Sequence, residues 1–371
     1  MGADEGRWGD LQEKLARLAE LARSHGVDTV VLREPANLTW LLGARVNVPQ
    51  TLDTACLDVI VHVPASGAVG LTVVTNAIEA PRLRDMELAG LDDACETRWE
   101  VVPWWEGRDG KLPTGSRVAG DRPPSGAVPV GADLAAARRQ LTGLQRSRLA
   151  DVCRDAAAAA TAAAQGLTPS TTGYAAAGAF ARELLDRELD PIVLLVGGAD
   201  RLEAHRHPLP VGEPVGDLAL LVACGRRHGL VASVSRIVSF ASLDAQQEDA
   251  YRRLLSVEQA FLDESRVGAR LGDVVGAGAA AYGRNGFDPD EWHRHHQGGL
   301  SGFVPREFPA HTTSDVVLGD GAVVAWNPSG AGWKVEDTTL VLDDGPRTLV
   351  HDDAWPTVEV GGRRRPGVLV R

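Results

Sequence analysis

The stretch Trp292-His-Arg-His-His-Gln-Gly-Gly299 governs the reading of the whole chain. It puts three imidazoles within four residues and ends in a glycine pair, where the backbone can bend or come close to a ligand. On an extended strand His293 and His295 would share one face and His296 the other. No single face can then use all three as ligands unless the strand bends at the glycine pair, and two of the three are expected to face solvent.

Further polar clusters lie on either side. Upstream, Glu203-Ala-His-Arg-His-Pro-Leu-Pro210 carries His205 and His207, two residues apart and on one face if extended. Downstream come Arg306 and Glu307, then Trp326-Asn-Pro-Ser-Gly330, then Lys334-Val-Glu-Asp-Thr-Thr-Leu-Val341. Around these the chain alternates between helical and strand patterns. Leu11, Leu15, Leu18 and Ala22 recur at helical spacing, with Asp10 placed to cap and Gly26 to stop the helix. Short β-branched or apolar runs at 27–32, 56–63, 68–75 and 100–105 predict strands, and 78–88 a helix, giving an N-terminal α/β unit. The Gly/Pro-rich stretch 107–131 lacks periodicity and predicts a linker or surface excursion. Beyond it, helices are expected at 133–141, 143–165, 171–189, 244–264 and 271–285. Strands are expected at 192–196, 218–223, 230–240, 322–326 and 335–342. The result is an α+β chain, with domains expected at 1–142 and 143–371.

Composition narrows the function. The formal net charge of −12 leaves no basic surface for a nucleic acid or an acidic membrane. The one basic run, Arg363-Arg364-Arg365, is expected to be a solvated tail. No apolar stretch is long enough to span a membrane, and the first residues show no secretory pattern. Cys56, Cys95, Cys153 and Cys224 are scattered with no CxxC pair, so a reducing cytoplasm is the expected setting. Gly299-Leu-Ser-Gly-Phe303 lacks the last glycine of a nucleophile elbow, and neither a phosphate loop nor a dinucleotide fingerprint is present.

In order, His-Pro at 207, Gly-Asp at 216, His-Gln-Gly-Gly at 296, Asn-Pro-Ser at 327 and Glu-Asp-Thr at 336 resemble the pita-bread family of creatinase, prolidase, aminopeptidase P and methionine aminopeptidase. Ser24-His-Gly-Val-Asp28 and Asn37-Leu-Thr-Trp-Leu-Leu-Gly43 look like the N-terminal domain of the creatinase and prolidase members. The resemblance implies a C-terminal domain with a curved antiparallel sheet flanked by helices. It also implies a homodimer, in which the segment holding Asn37 and Trp40 reaches the partner's site.

Metal-dependent members hold two divalent ions with two Asp, one His and two Glu. Those positions carry over here to Ala223, Ser233, His296, Asn327 and Glu336. A second catalytic His of such members falls on Phe303. One carboxylate is left where hard divalent ions need several. The resemblance then points to creatinase, which cleaves a C–N bond without metal. The expected activity is metal-independent hydrolysis or elimination at a C–N bond of a small amide-like or amino-acid-like substrate, with no cofactor. His207 would be the general base, with His296 and Glu336 beside it. Asn327, Arg306, His205, Ser233 and Trp326 would bind substrate, Arg306 through a carboxylate or else as a structural partner of Glu336. An Xaa-Pro peptidase with an atypical metal site and an inactive ligand-binding scaffold are the alternatives.

Overall fold

The computed structural model describes residues 6–48 and 54–371. The chain divides into two compact units, Met1–Leu144 and Gln145–Arg371. In the first, helix Arg7–Ser24 buries the stripe Leu11, Leu15, Leu18 and Ala22. Its N-cap is Gly6 rather than Asp10. Asp10 sits in the first turn, buried, where the helix dipole favours an anion and Lys14 Nζ reaches it at 2.6 Å. Gly26 does close the helix, at φ +66°.

The sheet of this unit runs β4-β3-β2-β1-β5-β6. Its strands are β1 Thr29–Leu32, β2 Leu57–His62, β3 Gly70–Asn76, β4 Thr97–Val102, β5 Val118–Gly120 and β6 Val128–Pro129. The last two come from the stretch expected to be a linker. Two or three residues are too few to show a period, yet Val118 and Ala119 are buried and β5 pairs in parallel with β1. The expected helix at 78–88 shrinks to Ala80–Arg82 followed by a wider turn, Leu83–Glu87. Pro103 lacks an N–H, and β4 ends before Trp104 and Trp105. Asn37 and Trp40, on helix Pro35–Leu42, are fully buried in this unit. The Asn37 amide is spent on Asp121 (2.8 Å) and Arg138 (2.7 Å).

The second unit is built on a curled sheet ordered β10-β11-β14-β9-β8-β7. Its strands are β7 Asp190–Gly198, β8 Leu218–Arg227, β9 Leu230–Ser239, β10 Gly298–Ser301, β11 Val323–Trp326 and β14 Asp337–Leu342. The neighbours along this path are antiparallel. Between β11 and β14 lies a small ribbon, β12 Ser329–Gly330 with β13 Trp333–Lys334. β15 Gly345–Thr348 adds to β14, β16 Thr357–Val360 pairs with β17 Arg363–Pro366, and β18 Leu369–Val370 lies parallel to β9. The β8–β9 turn is His228-Gly229, both at positive φ (54° and 78°), as a two-residue hairpin loop requires.

Helix Ala245–Glu264 starts with a capping box, Asp244 and Gln247 exchanging bonds. Helix Leu271–Arg284 packs on it where Gly278 leaves room: a Cβ there would sit 2.2 Å from Phe261 Cζ. Phe261 stacks on Trp326 with ring centroids 4.8 Å apart, and Trp326 Nε1 donates to Ser265 Oγ at 2.8 Å. Trp326, expected at a substrate pocket, is therefore core: the alternation of β11 turns its ring toward the helices. Among the described residues no helix is long and apolar enough to cross a membrane.

The basic run is not a tail. Arg365 Nε donates to Glu258 Oε2 at 2.7 Å, and its guanidinium lies 3.1 Å from Asp337. Asp337 also accepts from Arg236 at 2.8 Å. All four groups are at most 3% exposed. Three consecutive arginines look solvated in sequence, but β17 alternates and turns Arg365 inward. Removing one member of such a buried network strands the others. Arg365→Met is expected to lower the unfolding free energy by about 3–5 kcal/mol, measured by urea denaturation.

Candidate active site

The site lies in the second unit, where two loops bring imidazoles together over one end of the curled sheet. His207 follows the short helix Ala199–Leu202, in a loop laid against β7. Gly197 allows this, since a Cβ there would meet Pro208 at 2.8 Å. Pro208 O also accepts from Val196 N at 3.1 Å. The loop is not a strand, so His205 does not share a face with His207. His205 is exposed and lies outside the cavity.

The His293–His296 stretch is likewise not a plain strand. Glu291–Arg294 forms a 3₁₀ turn, and only His295 onward is extended. The turn leaves His293 outside, its ring tilted against Trp292 with centroids 4.0 Å apart. His295 and His296 instead both converge on His207. The three rings lie 4.5–5.5 Å apart by centroid, and His295 Nε2 is 3.0 Å from His207 Nε2. Gln297 fixes the turn by donating to His295 O (2.6 Å) and Trp292 O (3.1 Å) while accepting from Tyr282 at 2.8 Å. Gly298, at φ +102°, crosses so close to β11 that a Cβ would fall 2.1 Å from Ala325 O.

A cavity of about 350 Å³ opens beside the cluster. Its polar side is His207, His296, Arg306, Asn327, Lys334 and Glu336. Its apolar side is Val193, Leu195, Leu209, Val222 and Pro305. Glu336 is buried between two cations, with Arg306 Nη2 at 3.2 Å from Oε1 and Lys334 Nζ at 3.0 Å from Oε2. Burial alone would raise the Glu336 pKa, but these cations outweigh it and the carboxyl is held below its usual range. Arg306 also donates to Gly299 O (2.9 Å) and Ala325 O (2.7 Å), so it is a clamp on the sheet rather than a free fork for a substrate carboxylate. Asn327 donates its backbone N–H to Gln297 O at 3.1 Å, and its buried Oδ1 has no partner.

Lys334 escaped the sequence reading. Its available signal was the Lys-Val-Glu spacing, which puts Lys334 and Glu336 on one face of an extended segment. Ser233 lies outside the cavity lining, with its hydroxyl 3.5 Å from Cys224 Sγ. The register pairs Cys224 with Ser233 and Ala223 with Val234. The cavity-facing residues of β8 are thus Val222 and Cys224, and Ala223 points away. The carry-over placed an acidic position at Ala223; the neighbour facing the site bears a thiol. Burial and Glu336 push that thiol up to about 11, so it is not a thiolate nucleophile at neutral pH.

The imidazoles share a field set by burial and cations. Burial first, then Lys334, the other two histidines and Arg206 bring His295 down to about 2. Burial and Arg306 bring His296 to about 4 against a smaller opposing pull from Glu336. His207, exposed at the cavity mouth, is lowered by desolvation and Lys334, with Glu336 opposing. At neutral pH the cluster is uncharged.

A curled antiparallel sheet backed by helices, with a site at one end assembled from its loops and strand ends, is the pita-bread architecture. Residues 147–343 match metallopeptidase family M24, more than half of the chain, and the chain belongs to that family. A Bacillus subtilis (strain 168) protein, YkvY, provisionally described as a dipeptidase, is 24% identical over 155 residues, 40% of this chain and 42% of that protein. The chain thus aligns with less than half of that curated relative's length. Among solved structures, the dipeptidase PepE from Mycobacterium ulcerans superposes with a TM-score of 0.73 at 18% identity, covering 98% of each chain. The prolidase from Pyrococcus horikoshii OT3 gives 0.73 at 13% identity, over 92% of this chain and 99% of that one. Both likenesses are of fold.

The family name implies metal, and the donor set decides whether a metal pair fits. The cavity presents one carboxylate, and both its oxygens are held by cations. The other donors are an amide, a thiol and imidazoles. Two adjacent divalent ions need anionic oxygens to offset their charge. The residues present do not fit that pair.

The lowered histidines have a consequence for stability. Their folded pKa values lie below the unfolded value near 6.5, so the unfolded chain binds more protons between about pH 4 and 6.5. Stability from this source is complete above pH 6.5 and is lost on acidification. Between pH 7 and pH 5 His295, buried, and His296, half-buried, are each expected to remove up to about 2 kcal/mol. Urea titrations at the two pH values should show the loss, and His295→Gln should shrink it by about half.

Proposed function

We propose that this protein hydrolyses a C–N bond of a small amide without the family's metal pair. The observation carrying this reading is the Lys334–Glu336–Arg306 arrangement. It puts a net positive charge on the wall of an open cavity next to a neutral, accessible imidazole. Lys334 would supply, at one point, the electrostatic pull on a carbonyl oxygen that metal ions supply elsewhere.

The His207–His295 contact ties the tautomers of the two rings together. It uses Nε2 of both rings, which leaves His207 Nδ1 free to act. For Nδ1 to take a proton, Nε2 of His207 must carry the hydrogen and donate it to His295 Nε2. A water oxygen adds to the carbonyl carbon as its proton passes to His207 Nδ1. The oxyanion forms beside the Lys334 ammonium. The C–N bond then breaks as the nitrogen takes the proton back from His207, releasing an acid and an amine. Asn327 would orient the amide through its unpaired Oδ1.

A second reading rests on one observation: ligand atoms of His207, His295 and His296 all lie within 4.8 Å of one another. Three neutral imidazoles can hold one tetrahedral ion of the zinc type. Against this, the cations that repel protons from these rings also repel a divalent ion.

The test is turnover of a panel of N-acyl amino acids, amino-acid amides and dipeptides, including prolyl dipeptides, read by mass spectrometry with and without chelator. The metal-free reading expects turnover unchanged by chelator and no zinc retained through dialysis. His207→Ala is expected to lower kcat/KM by about 10²–10⁴-fold, and Lys334→Met by about 10²–10³-fold. One zinc per chain, lost in His295→Ala together with activity, would establish the single-ion reading instead.

A further inference from the structure

The walls of the cavity hold more than a reaction centre. Its charged lining residues are Lys334, Arg306 and Glu336, two cations to one anion. Glu336 is already shared between both cations. Lys334 is 4% exposed, and among the described residues the polar partner of its ammonium is Glu336. An ammonium has three donors, so a buried Lys334 is left with donors for a ligand oxygen. Arg306 Nε is also buried without a partner. The complementary deficit lies at Asn327, whose Oδ1 is buried and unpaired, so it asks for an N–H or O–H. The remaining wall is aliphatic, with Val193, Leu195, Leu209 and Val222 beside Pro305.

We propose that the cavity is built for N-blocked aliphatic amino acids: a small carboxylate on a branched aliphatic body whose nitrogen is an amide N–H rather than a free ammonium. The carboxylate pairs with one of the two Lys334 donors not used by Glu336, the other staying for the carbonyl oxygen; the amide N–H donates to Asn327 Oδ1, and the side chain lies on the aliphatic wall. A free α-ammonium is disfavoured, because the one carboxylate that would receive it is already held by two cations. The proposal rests on the hydrolase reading for its meaning, but its test reads binding alone.

The experiment is calorimetric titration of the full chain at pH 7.5 with N-acetyl-L-leucine, L-leucinamide and N-acetyl-N-methyl-L-leucine. The acetylated acid should bind at least about tenfold more tightly than leucinamide, and about tenfold more tightly than its N-methyl analogue, which lacks the donor. Lys334→Met should abolish the preference for the acid, while Lys334→Arg keeps it. Asn327→Leu should remove the difference between the N–H and N-methyl acids. Melting temperatures confirm that each variant is folded.

Equal or tighter binding of leucinamide would overturn the proposal. So would no binding of the acid, an undiminished acid preference in Lys334→Met, or equal binding of the two acetylated acids. Tight, selective binding with no turnover would sink the hydrolase reading and leave this one standing. Turnover without the preference would do the reverse.

Discussion

A single carboxylate clamped by two cations organises this site. Glu336 is buried, and a lone buried anion would cost several kcal/mol in lost hydration. Lys334 and Arg306 offset that cost, one at each oxygen. The arrangement propagates outward. Arg306 is tied to the carbonyls of Gly299 and Ala325, so it also fixes the β10–β11 edge from which His296 and Asn327 project. Lys334 adds its field to all three imidazoles. The next residue after Glu336, Asp337, belongs to the buried network with Arg236 and Arg365, which holds the start of β14 in place. Charge pairing thus sets the position of the backbone and the sign of the cavity, and adds to burial in keeping the histidines unprotonated.

That sign sets the cavity's donor set apart from the carboxylate-rich one a metal pair needs. A dinuclear site puts concentrated positive charge among carboxylates. Here the positive charge belongs to side chains, and the positions around it are an amide, a thiol and imidazoles. The fold is kept while the donor set is exchanged, and a fold by itself does not carry an activity. The M24 match and the likeness to dipeptidase and prolidase structures therefore set the framework, and the cavity residues set the chemistry.

Much of the framework was legible in the sequence because it rests on periodicity and order. The Leu11-to-Ala22 stripe, the Asp244-capped helix and the long β8 and β9 runs each carry their own local signal. So did the ordered set of His-Pro, His-Gln-Gly-Gly, Asn-Pro-Ser and Glu-Asp-Thr. His207, His296, Asn327, Arg306 and Glu336 do meet around one cavity. What failed had a common cause. Trp326 and Ala223 were assigned a face their strands do not give them, and Arg365 was read as part of a solvated tail because β17, which turns it inward, was not expected; in each, strand alternation decides the direction. His205 and His295 were misread because the segments carrying them are a loop and a 3₁₀ turn, where the two-residue alternation assumed for them does not hold.

The sequence by itself determined the fold class and put forward the candidate residues, because these depend on residue identity and local spacing. Only the tertiary structure decided that His295 rather than His205 partners His207, that Cys224 faces the cavity, and that Lys334 completes the charge balance. The first two depend on contacts between residues 88 and 9 apart in the chain, and the third on the Arg306–Glu336 pair, 30 residues apart, that Lys334 joins; packing fixes such contacts only after every element has found its neighbours.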